Sequence, residues 1–109
     1  MAGDDQILNR LEALRERIPS LEGGGPFSDQ FVEWHGELMS LAARAVGDDA
    51  PEMHDLRAIR VEPPNELREE AAGAVPETAI RDAERAFFRK RLADFSEAIG
   101  AIVWLISRR

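Results

Sequence analysis

One row of residues near the C-terminus constrains this chain more than anything else in it. Phe88, Leu92, Phe95, Ile99, Ile102 and Ile106 are spaced 4, 3, 4, 3, 4, which places large apolar side chains on one stripe of a helix. The pattern predicts a helix from Pro76 or Glu77 to Arg109, about 48 Å long at ~1.5 Å per residue. A stripe of that length has to be covered by other helices. No segment alternates as a half-buried strand would.

The covering elements are legible upstream. Ile7, Leu11, Leu14 and Ile18 are spaced 4, 3, 4, a narrow seam on an otherwise charged helix from about Asp5 to Ile18. Pro19 disfavours helical geometry at Ile18 and should stop it. A flexible loop, Gly23-Gly24-Gly25-Pro26, follows. Ser28 is a good N-cap for a second helix reaching Val46, with Asp29 in its first turn and Gly47 as a left-handed C-terminal cap. Phe31, Val32, Trp34, Leu38, Met39, Leu41, Ala42, Ala45 and Val46 would fill about half the circumference of that helix, enough to touch more than one neighbour. Asp49-Ala50-Pro51-Glu52 reads as a cap and a proline-containing first turn. It opens a short helix through Ile59 with Met53, Leu56 and Ile59 inward. Pro63-Pro64 breaks the chain, and Asn65–Ala72 reads as one or two further helical turns ended by Gly73. The expectation is one all-α domain over residues 1–109, a small bundle of three to five helices with the long C-terminal helix as its spine.

Composition narrows the function classes. The 109 residues include no Cys, so there is no disulfide framework, thiol nucleophile or Cys-ligated metal. The N-terminal Met1-Ala2-Gly3-Asp4-Asp5 is acidic, unlike a signal peptide. The most apolar run, Ala101–Ile106, is far shorter than the roughly 20 residues of a membrane-spanning helix. A cytoplasmic protein without membrane association is expected. The net charge of −7 disfavours a nucleic-acid binder. That charge is uneven: residues 1–55 hold 12 acidic and 4 basic side chains, a net of −8, and residues 56–109 hold 9 and 10, a net of +1. Arg89, Lys90 or Arg91 should therefore lie near carboxylates of the first half. All basic residues but Lys90 are Arg, as a GC-rich, bacterial genome would encode.

Catalytic groups are sparse. His35 falls inside the apolar arc of the second helix, and no His or carboxylate follows at i+3 or i+4 to complete a metal or acid–base site. It reads as a histidine at the edge of the core, and His54 as a solvated one. The glycine run lacks the Lys-Ser/Thr of a phosphate loop. No inward Glu-x-x-His pattern marks a di-metal bundle. A non-enzymatic protein without metal or cofactor is expected.

Two features of the last helix point to binding. Beside the core row runs a second row, Ala93, Ser96, Gly100, Val103 and Ser107, with Trp104 on its flank. A mid-helix Gly costs about 1 kcal/mol relative to Ala, so Gly100 suggests the close approach of another backbone. The row is a candidate seam for another helix, from the same chain or from a second copy in a homo-oligomer. Arg81, Arg85 and Arg89 are one turn apart, with Arg81 and Arg85 in line with the core row. They form a candidate site for an anion such as a nucleotide, or for an acidic partner. The leading expectation is a protein–protein interaction module that self-associates through its C-terminal helix, the alternative a small anion or nucleotide binder on the arginine row.

Phe31 and Trp34, then Leu38 and Leu41, then Val46-Gly47, and after the proline break Phe87-Phe88, Leu92 and Ala98-Ile99 resemble a family of helical domains. These domains often precede TIR-like or predicted nucleotide-binding domains in bacterial proteins. The likeness covers Phe27 to Ile106. The family pattern has an aromatic where this chain has Val46, and it expects a following effector or sensor domain for which 109 residues leave no room. The resemblance implies a cytoplasmic interaction module in antiphage defence or nucleotide signalling, and it carries over no catalytic residue.

Overall fold

The computed structural model describes residues 2–62 and 76–109. The described residues hold five helices and no strand: α1 (Ala2–Glu16), α2 (Ile18–Leu21), α3 (Asp29–Val46), α4 (Pro51–Ala58) and α5 (Glu77–Ser107). The all-α bundle with a long C-terminal helix is as expected. The turns expected over Asn65–Ala72 and their end at Gly73 lie outside the described residues.

Pro19 does not take Ile18 out of helical geometry as expected: Ile18 is the first residue of a second helix. The first helix stops at Glu16, and Pro19 sits in the first turn of the short α2, where its missing N–H costs nothing. Ile18 and Leu21 are thereby turned into the core. Ser28 caps α3 as expected, its Oγ accepting from the Phe31 N–H at 3.1 Å. Gly47 ends α3 with φ 93° and ψ 150°. Its φ is positive, as a glycine allows, but its ψ is extended rather than left-handed helical. Its N–H still donates to the Ala43 carbonyl at 2.9 Å. At α4 the expected side-chain cap is absent: Ala50 holds the N-cap position, and Pro51 begins the helix.

The expected rows form the core. Leu11, Leu14 and Ile18, then Phe31, Trp34, Leu38, Leu41, Ala42 and Ala45, then Met53 and Leu56, pack with the whole row Phe88–Ile106 of α5. Ile7, Met39, Val46 and Ile59 are partly buried against it. Val32 is a correction. It is 58% exposed, because the neighbours of α3 cover a narrower arc than its apolar residues span. The aromatic centre is built on Phe31, which meets Phe88 edge-on at 5.3 Å, and on Trp34, which meets Phe95 edge-on at 5.5 Å. These are favoured aromatic geometries. The Trp34 indole donates to the Leu14 carbonyl at 2.8 Å. That carbonyl belongs to the last turn of α1, where its only backbone donor in the described residues is the Arg17 N–H at 3.2 Å.

Helices α1 and α5 run antiparallel, tied at one end by Arg109 and Asp4 (3.3 Å) and further along by Arg15 and Ser96 (3.0 Å). The molecule measures 57 × 25 × 19 Å, its long axis set by α5.

Candidate interaction surface

Around α5 three strips can be distinguished. The core row faces the bundle. The strip beside it holds Ser96, Gly100 and Val103, all half-buried, with Ala93 and Ser107 exposed at its edges. Arg15 of α1 lies across it. Its Nε donates to Ser96 Oγ at 3.0 Å. A Cβ placed on Gly100 would stand 3.1 Å from Arg15 Nη2. What approaches Gly100 is therefore a guanidinium of its own chain, not the backbone expected there.

The third strip points away from the bundle. Ala93, Glu97, Ala101, Trp104 and Arg108 are spaced 4, 4, 3, 4 and are all exposed. Trp104 is 56% exposed, and the Arg108 guanidinium lies over its ring at 3.9 Å. Ser107 Oγ donates to the Trp104 carbonyl at 2.9 Å. Trp104 is singled out from the sequence, but this strip as a unit is not. The signal was the helical spacing of small and charged residues diametrically opposite the core row.

The arginine row is not an inward continuation of the core row. Arg81 and Arg85 are exposed, while Ile80 is buried and Glu84 half-buried. The inward side of this first part of α5 passes through Ile80 and Glu84, one residue round from the arginines. Arg89 meets Glu22 at 3.6 Å, an ion pair of the kind expected between the two halves of the chain. Arg91 pairs instead with Asp94 on its own helix at 2.7 Å, and its guanidinium lies 4.7 Å from the Phe87 ring centre.

No known protein family, curated protein or solved structure matches this chain. Its own geometry therefore carries the functional argument.

A cavity of about 380 Å3 opens between α3, α4 and the segment that follows α4. Phe31, His35, Met39, Leu56, Ile59 and Val61 line it, with Arg57, Arg60 and Glu62. The His35 ring stands 5.7 Å from both Phe31 and Phe95, and burial lowers its pKa below the ordinary 6.5. It is therefore mostly neutral at pH 7. Arg57 is held by Asp48, donating to its carbonyl at 2.9 Å. His54 is exposed. Among the described residues no group of three or more His, Asp or Glu could hold a metal ion. No described helix is long and apolar enough to cross a membrane.

Proposed function

We propose that this chain is a non-catalytic helical interaction module that self-associates through the outer side of α5. The exposed Trp104 is the observation that carries this reading. Tryptophan is highly buried on average. Here one tryptophan, Trp34, is fully buried and hydrogen-bonded, and the other stands in solvent under an arginine. Tryptophan and arginine are the residue types most enriched among those that dominate binding energy at protein interfaces. The resemblance to helical domains of bacterial defence and nucleotide-signalling proteins adds a setting in which such a module would work.

The two tryptophans make the test direct. With Trp34 already buried, a change in emission on concentrating the protein reports on Trp104. Emission should shift to shorter wavelength as sedimentation velocity shows a larger species, and Trp104→Ala should abolish both changes while circular dichroism stays helical. A species that remains monomeric into the millimolar range rejects the reading.

A further inference from the structure

The outer strip of α5 is self-complementary in a specific way. A symmetric pair of helices joined by a twofold axis sets residue i against residue j and j against i. When two copies run antiparallel with the axis at the midpoint between Ile102 and Val103, Ala101 and Trp104 flank the axis symmetrically, and so do Glu97 and Arg108. One register thus sets the largest exposed side chain of the strip against a small one, and its carboxylate against a guanidinium. A parallel pair would instead set Glu97 on Glu97 and Arg108 on Arg108, and like charges facing each other are unfavourable.

We propose that two copies of this chain pair antiparallel through the last turns of α5. Trp104 of each packs on Ala101 of the other, and Arg108 of each reaches Glu97 of the other. This deepens the self-association reading and rests on it. Arg108 serves both copies. Its guanidinium lies over the Trp104 ring of its own chain at 3.9 Å, which stiffens a long side chain before association and leaves the opposite ring face for the other copy. All four residues are exposed on the side of α5 that faces away from the bundle, so no part of the described chain obstructs the approach. The overlap covers only about residues 96 to 109, and each bundle extends away from the axis in its own direction. An interface of that size is small and the dimer correspondingly weak.

A charge exchange tests the pairing. Sedimentation equilibrium on the full chain gives the dimer affinity of the parent, of Glu97→Arg, of Arg108→Glu and of the double variant, with circular dichroism confirming the fold of each. Every dimer holds the ion pair twice, so each single reversal should weaken it about tenfold or more. The double variant should recover most of the loss. The parent dimer should also weaken as salt rises. A dimer that forms but ignores the single reversals, or that the double variant fails to restore, overturns this register and leaves self-association standing. A parent chain that never dimerises overturns both.

Discussion

Two strips of the same helix, a third of a turn or less apart, are used in different ways. Ser96 and Gly100 lie under Arg15 of α1, joined by a hydrogen bond and a close approach within the chain. Ala101, Trp104 and Arg108 face solvent, held only by contacts within α5. Both strips look alike in sequence, small residues at helical spacing with a polar residue or two. A glycine in a helix marks where something comes close, and here that is a side chain from the same molecule. A tryptophan left outside, with only its own neighbour Arg108 over the ring, marks where no other helix of the described chain has come close.

The largest expected effect separates inside from outside on α5. Phe95 is fully buried and packs on Phe31, Trp34 and His35. Phe95→Ala should destabilise the fold by about 3–5 kcal/mol, measured by urea unfolding. Trp104→Ala, which loses an exposed contact with Arg108, should cost under ~1 kcal/mol in the monomer. If the two costs are similar, the outer strip has a structural role and the contrast fails.

Next in size is the join between α1 and α3. Trp34→Phe removes the donor that reaches the Leu14 carbonyl, leaving that oxygen to the Arg17 N–H at 3.2 Å, and it leaves a smaller ring in the site. A loss of about 2 kcal/mol is expected. Hydrogen exchange should quicken in the last turn of α1 before it does in α5.

Substitutions at Gly100 probe the covered strip itself. Gly100→Ala gains helix propensity of about 1 kcal/mol, and the Arg15 guanidinium, at the end of a flexible side chain, need shift only slightly. The variant should be neutral or slightly stabilised on thermal unfolding. Gly100→Leu should displace Arg15 from Ser96 and cost about 1 kcal/mol, while leaving association through the outer strip intact. Loss of association in Gly100→Leu but not in Trp104→Ala would move the interface from the outer strip to the covered one.

The smallest effect is electrostatic. Burial holds the His35 pKa below its unfolded value. Between the two values the unfolded chain binds more protons than the folded one, so stability rises with pH there. The contribution is complete above about pH 6.5 and is lost as pH falls below it. Arg57, Arg60 and Glu62 line the same cavity. The melting temperature should fall modestly from pH 7.5 to 5.5, and His35→Phe should flatten that part of the profile.

Much of this molecule could be read from its sequence. Apolar spacing alone marks which residues of α5 share a face, and all six residues of the row from Phe88 to Ile106 are buried. Ser28 marks the start of α3 because an extended residue with a hydroxyl satisfies a free N–H there whatever the rest of the chain does. These features are local, and local geometry follows from residue type. Which strip of α5 is covered, and by what, is decided elsewhere. Arg15 and Ser96 are 81 positions apart, and Trp34 and Leu14 are 20 apart, so their meeting depends on how α1, α3 and α5 rotate about one another. Periodicity states that Gly100 lies on the flank of the core row and Trp104 opposite it. Only the packing of α1 against α5 decides that the glycine is roofed by an arginine and the tryptophan is left in water, because a helix flank is buried by the neighbour that reaches it.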